Sequence, residues 1–168
     1  FHSCSISLFL GISSLFFLAG GLGAMYGLDG RAVTPAPSNM TVVPTEIWEN
    51  RTSMTIEKRA ILENTGGVGK WMGGPGQEVI FRNDTGNPIE FALMGQRTEF
   101  PARGLVGGGD GSLRKYLVNG VAVDPKARIT LMPGDRIMMQ EAGGGGYGKE
   151  KERDLRALKK DLEMGYIS

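Results

Sequence analysis

Histidine and cysteine are almost missing from this chain, which has one of each among 168 residues, His2 and Cys4. A lone cysteine closes no internal disulfide, and with a single histidine no zinc site of the cysteine/histidine type can be assembled from this chain. A hydrolytic triad would have to recruit His2, at the extreme end of an apolar leader. Charge of either sign in excess is also lacking: 19 basic residues stand against 18 acidic ones. So balanced a surface gives nucleic acid nothing to be drawn to, and no nucleic-acid partner is expected. The first 28 residues contain no Lys, Arg, Asp or Glu, and the first methionine is Met25. A signal peptide would need a basic n-region that is absent, although the apolar run 6–25 has about the length that spans a bilayer.

What the chain has in abundance is glycine, 27 residues gathered at 20–23, 66–76, 104–111 and 143–148. Clusters of this kind mark turns and close backbone approaches rather than a flexible linker. Around them the body reads as short strands. "QEVIFRND" (77–84) and "IEFALMGQ" (89–96), separated by residues 85–88, are expected to form an antiparallel hairpin. In "KYLVNGVAVD" (115–124), Asn119-Gly120 asks for positive φ at both turn positions and closes a two-residue hairpin. Pro133-Gly134-Asp135 makes a turn between two further strands, while residues 31–45, with three prolines, read as an extended connection. After Lys149 the period changes: Leu155, Leu158 and Leu162 share one face of a helix expected to dock by that stripe. The fold class expected is mainly β, an antiparallel sandwich or barrel-like module with glycine-rich loops and one C-terminal helix. It divides into an apolar leader (1–18), a β-rich module (19–148) and the docking helix (149–168).

Gly143, Gly145 and Gly148 satisfy G-x-G-x-x-G between a strand-like and a helix-like run. A dinucleotide unit needs a second parallel strand and an acidic residue after the helix, yet only about twenty residues follow, and the tight turns upstream make antiparallel neighbours. "NTGGVGKW" (64–71) fails as a phosphate loop, having Asn64 and Trp71 where Gly and Ser or Thr are required. Carboxylate pairs such as Glu46 with Glu49, or Asp84 with Glu90, read as ordinary surface, and Met138-Met139 as core and its edge. In "RTEFPARGLVGGGDG" (97–111), Arg97 and Arg103 flank Phe100, so a charged group could be held against a shaped loop, although arginine stems also cover apolar surface with no ligand. The candidate loop site therefore comprises Arg97, Phe100, Arg103, Gly143, Gly144, Gly145, Gly146 and Tyr147, with no catalytic or metal-ligating residue assigned.

Six stretches in order, "AGGLGAMYGLDG" (19–30), "VVPTEIWE" (42–49), "NTGGVGKWMGGPG" (64–76), "FPARGLVGGGDG" (100–111), "LMPGDRIMMQEAGGGGYG" (131–148) and "DLEMGYIS" (161–168), resemble the C-terminal part of the hydantoinase B/oxoprolinase family. That family includes subunits of N-methylhydantoinase, 5-oxoprolinase and the acetone and acetophenone carboxylases; residues 1–18 match it poorly. The resemblance implies a cytoplasmic subunit acting beside a hydantoinase A-like subunit that uses ATP, on a cyclic amide or ketone substrate. It implies that any metal belongs to an earlier part of the family polypeptide, that no cofactor is bound here, and that the fragment alone is inactive. The other readings are a membrane-anchored or secreted β-domain, with residues 6–25 as anchor and N-x-Thr sequons at Asn39, Asn50 and Asn83, and a nucleotide-binding oxidoreductase fragment.

Overall fold

The computed structural model describes residues 16–35 and 43–168. Among the described residues seven strands form two antiparallel sheets. Strands β1 (Met54–Ile61), β2 (Gln77–Asn83), β4 (Lys115–Val118), β5 (Val121–Ala122) and β7 (Arg136–Gln140) make a sheet of order β1-β2-β7-β4-β5. Strands β3 (Ile89–Ala92) and β6 (Arg128–Leu131) pair with each other in the second. Alternation turns Val79 and Phe81 of β2 and Ile137 and Met139 of β7 inward, where they meet Ile89 and Phe91 of β3 and Leu131 of β6 in one hydrophobic core. This is the mainly β, antiparallel, two-sheet arrangement expected from the sequence, and it is not a closed barrel.

The expected hairpin between 77–84 and 89–96 does not form. β2 pairs with β1 and β7, and the chain crosses to the other sheet before β3 begins. Asn83 is the reason. Its buried amide donates from Nδ2 to the carbonyls of Asn87 (2.8 Å) and Leu131 (2.9 Å), and its Oδ1 accepts from the amide and hydroxyl of Thr85 (3.1 and 2.7 Å). The return crossing, the Pro133-Gly134-Asp135 turn, locks onto the same residue: Gly134 N–H donates to Asn83 O and Asn83 N–H to Asp135 O. One asparagine thus satisfies the backbone of both corners where the chain changes sheets. The turn itself is as expected, with φ 87° at Gly134, but it joins strands of different sheets.

The β4–β5 hairpin closes as expected, with φ 48° at Asn119 and 83° at Gly120. A helix absent from the expectations, α1 (Thr45–Thr52), follows Pro44 and buries Trp48, against whose ring Phe16 lies edge-on at 4.5 Å. Phe16 and Leu18 are both core residues, and residues 16–24 run without regular structure. The described half of the segment 6–25, which the alternative reading took as an anchor, is therefore irregular chain with Phe16 and Leu18 in the core. No helix among the described residues is long and apolar enough to cross a membrane. Residues 1–15, and with them the rest of that segment and His2 and Cys4, lie outside the described residues, as does Asn39.

The C-terminal helix forms as α2 (Leu155–Glu163) after a 3-10 turn at Glu150–Glu152, with Asp154 accepting the amide of Arg156 at 2.7 Å as its N-cap. It does not dock by its leucines. Leu155, Leu158 and Leu162 face outward, and Asp161 turns inward to Arg153. The charge pair captured the helix because Arg153, fixed also by Asp29 (2.9 Å) and by the carbonyl of Lys70 (3.2 Å), leaves an inward cation that needs a carboxylate.

Candidate functional site

The glycine run after β7 is threaded through the other glycine clusters. A Cβ on Gly143 would stand 1.9 Å from the carbonyl oxygen of Thr65, on Gly144 2.0 Å from that of Leu22, on Gly145 2.3 Å from that of Arg103, and on Gly146 2.1 Å from that of Val68. Residues 143 and 146 thus face the same neighbour, and 144 and 145 two others. Contacts that return every third residue are those of an extended path with three residues per turn, whose backbone bonds outward in several directions instead of in one plane. The hydrogen bonds agree: Gly144 N–H donates to Gly74 O and its carbonyl accepts from Gly67, Gly145 O accepts from Ala24, and Gly146 bonds Gly109 and Leu105. These four glycines do not have positive φ; the space a side chain would take is occupied by backbone.

This packing disposes of the phosphate-loop reading. The amides of Gly143, Gly144, Gly146, Tyr147 and Gly148 donate to Ser112 Oγ, Gly74, Gly109, Trp71 and Leu105 respectively, so they are already used within the protein. Tyr147 ends the run at the surface, where its ring lies 5.6 Å from Trp71 and 6.3 Å from Tyr26, with Tyr26 5.0 Å from Trp71 and Lys70 Nζ 5.2 Å from the Trp71 ring. Tyr26, at the tip of the turn closed by Met25 and Leu28, is 80% exposed. The sequence reading missed Tyr26 and Trp71; their one signal was an aromatic within or just after a glycine cluster, Trp71 inside 66–76 and Tyr26 shortly past 20–23.

The structure divides the remaining candidates. Arg97, held at φ 63° and donating from Nη1 to Pro101 O (3.1 Å), and the exposed Phe100 line an open depression of about 300 Å³ with Gln96, Thr98, Glu99 and Lys126. Arg103 does not line it. Its exposed side chain points from a backbone that abuts Gly145, so it belongs to the glycine assembly.

Behind the run lies a group that spacing did not reveal, because its members are 25 and 27 residues apart. Glu141, the residue after β7, accepts from the Tyr116 hydroxyl (3.0 Å) and pairs with Arg114, and neither the Glu141 nor the Arg114 side chain has exposed surface. Burial pushes the Glu141 carboxyl up to about 7, outweighing Arg114 and Tyr116, which pull it down. Enclosed as it is, this cluster anchors the start of the glycine run to β4. Among the described residues no set of three or more His, Cys, Asp or Glu is disposed to hold a metal ion.

A 5-oxoprolinase of Pestalotiopsis fici, PfmaA, is 29% identical to this chain over 161 residues, which are 88% of the chain and 12% of that protein. The fold matches the crystal structure of the ATP-dependent caprolactamase from Pseudomonas jessenii with a TM-score of 0.81 at 18% identity, over 99% of this chain and 32% of that one. It also matches the nucleotide-free acetone carboxylase, with a TM-score of 0.64 at 22% identity, over 89% and 25%. The chain thus spans about an eighth of the oxoprolinase relative's length. Residues 10–150 match the hydantoinase B/oxoprolinase family along most of the sequence, and the chain belongs to that family.

Proposed function

We propose that this chain is a non-catalytic module of a hydantoinase B/oxoprolinase-type subunit, contributing to ATP-dependent hydrolysis of a cyclic amide, a hydantoin or 5-oxoproline, together with a hydantoinase A-like subunit. The observation that carries the reading is the family match over residues 10–150, accompanied by a 5-oxoprolinase relative. Its chemistry is consistent with a supporting part. The amides of Gly143, Gly144, Gly146 and Gly148 are committed internally, and the Glu141 carboxyl is sealed. In this scheme ATP is used by the partner subunit, and any metal is held by a part of the family polypeptide other than this chain. The complex works in the cytoplasm, and the Arg97/Phe100 depression with the Tyr147 aromatics is where the module meets its neighbours or its substrate.

The experiment is a reconstitution. The complete family subunit containing this chain, with its ATP-using partner, is assayed for ATP-dependent opening of 5-oxoproline and hydantoin, and the 168-residue chain is assayed alone. Turnover by the complex and none by the chain is the expected result; ring opening by the isolated chain would overturn the assignment.

A further inference from the structure

α2 and the turn that carries Tyr26 lie at opposite ends of the sequence and meet at one side chain. Arg153, the residue before the N-cap of α2, has only 7% of its side chain exposed. Its Nε donates to Asp161 Oδ2 at 2.8 Å, and its Nη1 and Nη2 donate to the oxygens of Asp29 at 2.9 and 3.2 Å. Nη1 donates also to the carbonyl of Lys70 at 3.2 Å. Asp161 is the buried residue of α2, so the helix is joined to the body here by charge and not by its leucines. Its other tie lies past its end, where Asn64 bonds Tyr166 and Ser168.

Asp29 stands at the base of the turn 22–31, which Leu22 and Arg31 close below Tyr26. The same Oδ1 that receives Arg153 accepts the Met72 amide at 2.7 Å, and Gly30 N–H donates to Met72 O at 2.8 Å. Trp71 therefore sits between two residues, Lys70 and Met72, that are bonded to the Arg153–Asp29 pair, and its ring is the one that Tyr26 meets at 5.0 Å. A guanidinium is planar and its donors form a rigid fork, so a carboxylate that fixes one edge also fixes where the other edge points. Arg153 is too enclosed to replace a lost carboxylate with water at little cost. We infer that Arg153 is a joint coupling α2 to the Tyr26 turn: the docked helix holds Tyr26 against Trp71, and displacing the helix frees the turn and rearranges the aromatic surface. The inference goes beyond the module reading and does not depend on the reaction assigned there.

Amide hydrogen exchange in the complete family subunit containing this chain tests the coupling without reference to turnover. Amides of 22–30 report the turn, those of 156–163 report the helix, and those of β2 and β7 are the reference. Asp161→Asn and Asp29→Asn each remove one charge and keep the side-chain shape, and the second leaves an oxygen for the Met72 amide. Each variant is expected to speed exchange at least about fivefold in both the turn and the helix, the lower end of ordinary coupling between sites, with the reference unchanged. Arg153→Met, which keeps most of the apolar stem, is expected to speed both as well. An effect confined to the substituted residue's own segment, in either aspartate variant, would overturn the inference, because Arg153 would then be the meeting point of two independent contacts. So would an Arg153→Met protein in which either segment exchanges as before. Equal acceleration in β2 and β7 would also overturn it, since the variants would then be acting on global stability.

Discussion

Asn83 occupies a position where a polar residue would ordinarily be a liability, with no exposed surface at all. It is tolerated because both ends of its amide are used at the two crossings. Asn83→Ala removes the side-chain donor to the Leu131 carbonyl and one of the two to the Asn87 carbonyl, which keeps the Thr85 hydroxyl, and is expected to cost about 2 kcal/mol, read as a shift of the chemical denaturation midpoint. Glu141 gives a residue-scale signature in pH. Its folded carboxyl keeps its proton up to about 7, against 4.5 for the ordinary group. The folded state therefore binds more protons in that window, and the stability this group contributes is complete below the lower value, falls as pH rises towards the upper one, and is level beyond. Tyr116→Phe removes a hydrogen bond that favours the carboxylate, so melting temperatures followed against pH should show the upper end of the window moving upward. Neither residue was legible in the sequence. Asn83 stood there only as part of a sequon and a strand end, and Glu141 only as the last residue before a glycine run, since partners 25 to 48 residues away decide what each does.

Among the elements, what was legible is what is local. The Asn119-Gly120 hairpin follows from two residues that must adopt positive φ, and Asn119 adds bonds to Asp135 Oδ1 and the Arg136 amide that hold the turn against β7. Gly120→Ala is expected to cost about 1 kcal/mol, since the added Cβ meets no atom but resists the backbone angle. α2 was legible from its leucine period; its N-cap Asp154 emerged only in the structure. Asp154→Ala is expected to lower helix stability by about 1 kcal/mol, seen as faster amide exchange over 156–163 with the sheets unaffected. Strand partnership was not legible. The segments 77–84 and 89–96 carry the alternation of a hairpin, yet the choice between pairing with each other and pairing across sheets is made by Asn83 and by what β7 and β6 offer. α1 escaped notice because eight residues with one anchor, Trp48, produce no period to read. The direction of α2 was misread for a related reason: periodicity identifies an apolar face, not which side of the molecule it turns to.

For the whole molecule, composition spoke most clearly. Glycine clusters announced close backbone approaches, and such approaches are present; that the clusters approach one another is a fact of the third dimension. Gly144→Ala and Gly86→Ala separate the two uses of glycine. Gly86, at φ 74°, has nothing within 4 Å of an added Cβ, whereas at Gly144 that atom would sit 2.0 Å from the Leu22 carbonyl oxygen. The first should cost about 1 kcal/mol. The second should cost about 3 kcal/mol or more and broaden the thermal transition, because a carbonyl on a neighbouring segment has no rotamer by which to yield.

The threading of residues 143–146 between stretches near 22, 67 and 104 also sets an order of assembly. Each of these stretches waits for the run at 143–146, which lies about 120, 75 and 40 residues further on and is made after all three. A nascent chain leaving the ribosome keeps the three earlier stretches hydrated until residues 143–146 have emerged, and then three long loops must be closed together. Local hairpins such as β4–β5 are ready long before that moment, so refolding should show early sheet signal followed by a slow, concentration-independent gain of protection at the glycine amides.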